Sequence, residues 1–462
     1  MSIAAVSKRV EPPHRPEGGL QPAGRFGNPP LPASRVATAG DRFGCGEGPD
    51  TFGVDLPRGS GSYSKMKNVT WLTAGGGNAI YAPAFLLAMP AGLLGVYLPL
   101  YGRDLGATTF QIGLLYATFH LTGVIVRPLT GIGADRLGRR RFLLAGAACY
   151  VLAAMLFASS LSLPVLFAAR LAQGLGSALF WVATYAFLAD LGRDGTSGRR
   201  FGLLATAFTS GSILGTVLSY GAVVVLGLLA GWRVSFVVFA LTNLLALVLV
   251  FRRVRPHAPP LPVPALRPVR RGVLLCLLSV SFLVAAAFGM LAPITLLCLR
   301  DRFGATEFLI GVASAPSAVV YALAPGHLGT LGDRYSRRAI VAVALAASGA
   351  VSLLFPLAPS LVLLSGIWIL EALFVAAAMP AQDAIVSEVS GGDVRGRTFG
   401  IYVAAAGLGA SAGPLAGGWL YDNVGHATPF WLNAALLPIA GAIVFWTLPE
   451  PRRHAGTDAM ES

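Results

Sequence analysis

The chain is built around a series of apolar runs, each about 20 residues long and parted by short polar segments, and a run of that length spans the ~30 Å hydrocarbon core of a bilayer when helical. They lie near 79–101, 108–131, 142–159, 164–188, 201–228 and 233–251, and again near 273–299, 308–329, 339–357, 361–387, 399–420 and 429–447. Charged residues make up 12% of the chain, against about 25% in a typical soluble domain. The expected fold class is therefore an all-α membrane protein with twelve transmembrane helices.

The formal net charge of +14 does not point to nucleic acid. The arginines sit in short loops between apolar runs, with no aromatic interleaving and no basic helix face. One set of loops holds Arg136, Arg139, Arg140, Arg141, Arg193, Arg199, Arg200, Arg334, Arg337, Arg338, Arg395 and Arg397. The segment between runs six and seven belongs to that set, with Arg252, Arg253, Arg255, Arg267, Arg270 and Arg271. The opposite loops hold Arg103, Arg233, Arg300 and Arg302. By the positive-inside rule the first set is cytoplasmic, and both termini with it.

The two halves are copies. ATTFQIG (107–113) returns as ATEFLIG (305–311), an offset of 198 that also carries Asp135-Arg136 onto Asp333-Arg334 and Gly211 and Gly215 onto Gly409 and Gly413. Parallel repeats of this kind are related by an axis along the membrane normal, with the solute site expected between them near the midplane. The expected organisation is a tail (1–75), a six-helix bundle (76–252), a proline-rich cytoplasmic linker (253–272), a second bundle (273–449) and a cytoplasmic tail (450–462). Residues 1–75, rich in Gly, Pro, Ser and Arg, read as disordered, and Met66 offers an alternative start. No signal peptide is expected, and the acids of the tail speak against a mitochondrial transit peptide. Cys45, Cys149, Cys276 and Cys298 are too scattered for a disulfide framework or a zinc site. No metal or cofactor is expected.

The segment after the second run reads Gly131-Ile-Gly-Ala-Asp135-Arg136-Leu-Gly138-Arg139-Arg140-Arg-Phe, and its second copy Gly329-Thr-Leu-Gly-Asp333-Arg334-Tyr-Ser336-Arg337-Arg338. Both resemble the signature loop of the major facilitator superfamily, departing from it at Gly133, where the family usually has leucine, and at Ser336. The resemblance covers about 76 to 450 and implies the family's fold, two pseudo-symmetric six-helix halves. It further implies that Asp135 and its neighbours lock one state of the transport cycle, with Asp190 as a partner. The alternative is that these residues only fix topology.

Arg170-Leu-Ala-Gln173-Gly174-Leu-Gly176 in the fourth run resembles a segment of the family's proton-driven members. An arginine inside a span is costly and should face the bundle interior, unless it snorkels to the interface. Glu371 lies about 15 Å into the tenth run, near the midplane. The repeat sets it opposite Gln173, where it can meet Arg170. A proton carrier, a binder of cationic solute and a structural partner of Arg170 are the three roles open to it. His120 can relay protons or be a satisfied core histidine. Gln382 and Asp383 are candidates for an inner vestibule. Trp181, Tyr185, Tyr321 and Trp368 are candidate cavity walls, although aromatics at helical spacing more often pack. The glycine pattern of proton-coupled exporters is incomplete in the fifth run, which has Gly211 and Gly215 without the proline. It is complete in the eleventh as Gly409, Gly413, Pro414, Gly417 and Gly418, where close packing explains it as well.

The expected function is a secondary transporter of small organic solutes, coupled to protons and exporting them, in a bacterial plasma membrane as a monomer. Uptake of a sugar or metabolite is the alternative transport reading, and a sensor or lipid-handling protein on the same fold is the alternative of another class. Gly75-Gly76-Gly77 lacks a following Lys-Ser or Lys-Thr, so ATP-driven pumping is not expected, nor is enzymatic activity.

Overall fold

The computed structural model describes residues 78–190, 197–255, 271–328, 335–389 and 395–447. The tails, most of the linker, and Asp333 and Arg334 lie outside the described residues. The helices are α1 (Asn78–Ala88), α2 (Pro90–Asp104), α3 (Thr109–Leu137), α4 (Arg139–Ala158), α5 (Leu163–Asp190), α6 (Ser197–Leu226) and α7 (Leu228–Arg253). After them come α8 (Arg271–Phe303), α9 (Glu307–Leu328), α10 (Arg337–Ser352), α11 (Leu361–Val389), α12 (Arg395–Asn423) and α13 (Thr428–Thr447). Among the described residues, eleven helical stretches are long and apolar enough to cross a bilayer, α1 and α2 together forming the first. The remaining long helix is α12, 29 residues rich in Gly and Ala, which occupies the place of the run near 399–420.

Two local features differ from the sequence expectation. The first span is broken at Met89–Pro90, because Pro90 has no amide hydrogen to give the preceding turn. The signature segment is not a loop from Gly131 onward: α3 stays helical through Leu137 and turns at Gly138 alone, whose φ of 86° suits glycine. Polar residues there stand on a helix that runs on past the apolar core.

The repeat is visible in the packing. A Cβ at Gly211 would lie 2.1 Å from the Phe85 carbonyl oxygen, and one at Gly215 would lie 2.0 Å from that of Met89. In the second half, Gly409 stands in the same way against Phe282 (2.2 Å) and Gly413 against Ala286 (2.1 Å). These glycines let backbones touch, docking α6 on the first span and α12 on α8. The turns before α3 and α9 also match, each using a left-handed glycine, Gly106 at φ 83° and Gly304 at φ 59°. Near the first of them an aromatic group seals the first half. The Tyr101 and Trp232 rings stack at 4.2 Å, Phe157 and Phe236 at 4.7 Å, and Trp232 donates to the Phe157 carbonyl at 2.9 Å. Each polar tip thus keeps a partner while the ring fills the core.

The halves meet unequally at their two ends. Toward the arginine-poor turns, α2 packs against α8 of the other half, whereas α1, at the arginine-rich end, packs on α6 and α7 of its own. The arginine-poor end is closed by a reciprocal pair of bridges. Arg103 binds Asp301 at 2.8 Å and Arg300 binds Asp104 at 2.7 Å. Tyr421 donates to the same Asp301 carboxylate at 3.0 Å. Asp422 accepts from the amides of Thr109 (3.2 Å) and Phe110 (2.8 Å) at the start of α3, where a carboxylate complements the helix dipole.

Candidate functional site

Among the described residues, two charged groups are buried well inside the spans rather than at their ends, one in each half. Arg170 on α5 is 4% exposed and Glu371 on α11 is 5% exposed. Burying a charge is tolerable only when it is hydrogen-bonded or neutralised, so their partners decide what each can do.

Arg170 is satisfied inside its own half. Its Nε donates to the Leu115 carbonyl at 3.1 Å and its Nη1 to Gln173 Oε1 at 2.7 Å. Its guanidinium carbon lies 5.1 Å from the Tyr116 ring centre and 5.0 Å from that of Phe119, which is cation–π range. The planar fork, unlike a lysine ammonium, can make these contacts together. His120, half-buried, sits edge-on to Phe119 at 5.1 Å between ring centres. A carbonyl, an amide oxygen and two ring faces thus hold a full positive charge, with no carboxylate in contact among the described residues.

Among the described residues, Glu371 is held by one side chain, the Tyr321 hydroxyl of α9 donating to its Oε2 at 3.3 Å. Among the described residues no ion pair joins it to Arg170 or to any other cation. The meeting of the two charges that the repeat suggested is therefore not made in this state: each is retained by its own half. Trp368 packs, half-buried, at the edge of the core one turn before Glu371.

The remaining candidates divide. Trp181 donates to the Tyr150 hydroxyl at 3.0 Å and is edge-on to Phe208 at 5.2 Å. Tyr185 is exposed and stacks on Phe201 at 5.9 Å. Gln382 donates to the Tyr402 hydroxyl at 2.6 Å, and the Asp383 side chain lies outside the described residues. Tyr116, Tyr150 and Tyr402 were not singled out in the sequence. Each stands on a different helix from the Arg170, Trp181 or Gln382 side chain that it meets, so only the packing of the helices shows the pairing.

At the arginine-rich end, Arg139 is buried and bridges two acids. It ion-pairs with Asp135, and its Nε lies 3.1 Å from Asp190 Oδ2. Arg140 donates to the Phe251 carbonyl at 2.8 Å and lies over that ring. Gly131 is half-buried and Arg136 exposed. In the second half, Arg338 lies over Phe445 at 5.4 Å and Arg337 opens α10. These bonds of Asp135, Arg139, Arg140 and Asp190 stay within the first half, in contrast to the cross-half bridges at the other end. The acids of those bridges, Asp104 and Asp301, also escaped the sequence reading, which counted arginines. The signal was there as two Arg-Asp pairs, Arg103-Asp104 and Arg300-Asp301, in matching turns.

Known proteins place this architecture. The family model described as Major Facilitator Superfamily matches residues 81–293 and 277–461. The chain is 27% identical over 419 residues to multidrug resistance protein MdtG of Salmonella arizonae, spanning 85% of this chain and 98% of that protein. The MdtG of Salmonella paratyphi A is 28% identical over the same spans. Among solved structures, a bacterial homolog of the human lysosomal transporter Spinster, captured inward-facing and unoccupied, shares the fold with a TM-score of 0.66 at 17% identity, covering 79% of this chain and 95% of that one. The human organic anion transporter MFSD10 does so at 0.60 and 20% identity, covering 80% and 98%. A D-xylose-proton symporter does so at 0.65 and 16% identity, covering 81% and 97%. The chain belongs to the Major Facilitator Superfamily: it is an integral membrane protein of two pseudo-symmetric halves and a secondary transporter of small molecules rather than an enzyme.

Proposed function

We propose that this transporter exports small organic solutes in exchange for protons, by alternating access, as a monomer in a bacterial plasma membrane with both termini in the cytoplasm. The carrying observation is Glu371, buried near the middle of α11 with the Tyr321 hydroxyl as partner and, among the described residues, no cation in contact. An ionised carboxylate so placed is costly, so a proton or a cationic solute is what it lacks. Arg170, fixed in the opposite half, supplies a positive field across the interface that favours release of that proton when the halves approach. His120 stands beside it as a relay. Gln173, Trp181, Tyr185, Tyr321, Trp368, Gln382 and Asp383 are the proposed solute contacts. Export rather than uptake is supported by the similarity to MdtG, whose name is that of a multidrug resistance protein.

In this reading the arginine-poor end is the outer face, and the structure represents the state closed outside. The Arg103–Asp301 and Arg300–Asp104 bridges break when the protein turns outward. At the inner face, Gly131, Asp135, Arg136, Gly138, Arg139, Arg140 and Asp190, with Asp333, Arg334, Arg337 and Arg338 of the second copy, then lock the closed side.

The test is solute-driven proton movement in proteoliposomes, with the native protein and Glu371→Gln compared over a panel of organic cations, neutral drugs and sugars. Proton flux triggered by a solute and abolished in Glu371→Gln supports the exchange. Solute movement without protons, equal in the variant, sinks it in favour of facilitated diffusion.

A further inference from the structure

Arg127 lies toward the inner end of α3, where an arginine can snorkel to the cytoplasm. This one turns the other way. Its side chain folds back one turn, and a Cβ on Gly123 would lie 3.4 Å from its Cζ, Nε and Nη2. The guanidinium therefore sits about 21 Å along α3 from Thr109, inside the ~30 Å apolar core. Arg170 fills its donors with a carbonyl and an amide oxygen, but among the described residues Arg127 makes neither a hydrogen bond nor an ion pair. Asp135 and Asp190, the acids at the inner end of its own half, both bind Arg139. Glu371 is held by Tyr321, and the Asp383 side chain lies outside the described residues. Arg127 is only half-buried, so its donors stay open to a visitor.

The repeat sharpens the contrast. The offset of 198 carries Gly123 onto Tyr321 and Arg127 onto Pro325. In the second half a tyrosine stands at that position, and its hydroxyl serves the buried acid. In the first half glycine gives up that volume, and the Arg127 guanidinium lies over it. The cation thus has no counterpart in the second half, and the acid has none in the first. Tyr150 of α4, Tyr185 of α5 and His120 of α3 lie within electrostatic range of Arg127. The Tyr150 hydroxyl already accepts from Trp181 at 3.0 Å. Tyr185 is exposed, and among the described residues its hydroxyl makes no hydrogen bond. A guanidinium fork and a phenolic O–H, both without partners, stand beside aromatic surface, and their complement is an anion on an apolar body. A sugar or an organic cation would leave the Arg127 charge unanswered.

We propose that Arg127 is the solute-binding cation of this transporter and that its solutes are organic carboxylates. The guanidinium takes the carboxylate through two parallel N–H bonds, the Tyr185 hydroxyl is a third donor, and the apolar body lies along Tyr185 and Trp181. The proposal rests on the transport reading above and names the charge of the solute. The anion is singly charged because one open guanidinium answers one charge, and a dianionic phosphate ester would keep a second charge unpaired at this depth.

The experiment uses the full chain in lipid nanodiscs, with dansylglycine as the carboxylate probe, its neutral amide as control, and the signal of empty discs subtracted. The native protein should bind the carboxylate about tenfold more tightly than the amide, the worth of a hydrogen-bonded charge pair. Arg127→Gln should erase that preference. Arg127→Lys, which keeps the charge, loses the fork and guards against misfolding, should retain part of it. A second readout needs no affinity for a probe. With the native cysteines replaced, Tyr185→Cys should react severalfold faster with anionic sulfonatoethyl methanethiosulfonate than with the cationic trimethylammonioethyl reagent, each rate taken relative to a free thiol. Adding Arg127→Gln should remove that excess. Equal binding of the two dansyl probes overturns the proposal, as does no binding of the carboxylate at millimolar concentration. A preference that Arg127→Gln does not move, in binding or in thiol reaction, also overturns it, since the arginine then serves the fold alone. None of these readouts uses proton movement, so the anion site can fail while exchange stands, and the reverse.

Discussion

The two halves share a scaffold and differ in their charge. Gly211 and Gly215 seat α6 as Gly409 and Gly413 seat α12, with hypothetical Cβ contacts within 0.1 Å of each other from half to half (2.1 and 2.0 Å against 2.2 and 2.1 Å). Yet the position that is Gln173 in one half is Glu371 in the other. The first half answers a buried cation with a carbonyl, an amide and two rings, and the second leaves a buried acid with one hydroxyl. Backbone-to-backbone contact leaves no freedom at the glycines, whereas one side chain in a duplicated frame can change sign at the cost of its local partners. Difference at matched positions is thus where the candidate site lies.

The largest effect should come from the shared part. Gly215→Leu and Gly413→Leu each force a side chain into a carbonyl, and overpacking that the backbone cannot relieve costs about 3 kcal/mol or more. Both should lower thermal stability in detergent by similar amounts; a large disparity would show that the halves are not docked alike. Next in size is the unshared part. Glu371→Gln should cut solute-driven proton flux by about two orders of magnitude, the range of a lost proton-transfer group. Adding Gln173→Glu should not restore it, because the acid then sits beside Arg170 and pairs with it. Recovery in that double variant would mean that the two sites are interchangeable.

A smaller effect is expected from Tyr321→Phe, which deletes one hydrogen bond of about 1 kcal/mol. It should slow exchange by about fivefold and leave the fold intact, as circular dichroism and elution volume would report. The smallest concerns the bridges at the arginine-poor end. Arg103 and Asp301 are 32% and 25% exposed, so their double-mutant coupling should be about 0.5 kcal/mol. Arg103→Asp with Asp301→Arg should regain what either change alone loses; additive losses would show that the bridge adds nothing to closure.

Much of the fold was legible in the sequence because lipid imposes one-dimensional rules. Run length, arginine asymmetry and the offset of 198 depend on neighbours along the chain, and the helices fall where those runs predict. The break at Pro90 was missed because a proline inside an apolar run is as compatible with a kink as with a break. The site was legible in part. Arg170 and Glu371 stand out as charges in apolar runs, but whether they touch depends on which state the halves occupy. Asp104 and Asp301 gain meaning only when two turns, remote in sequence, are brought face to face.

The reciprocal bridges carry one more consequence. All four groups stand at the ends of α2 and α8 and are 25–42% exposed, within reach of dissolved salt, whose Debye length is about 10 Å at 0.1 M and about 3 Å at 1 M. The bridges cross, so loosening one moves the turn that holds the other, and the two part together. In the proposed orientation the medium outside the cell acts as an effector with no binding pocket: rising ionic strength weakens both bridges, and with them the state they close, and dilution restores them.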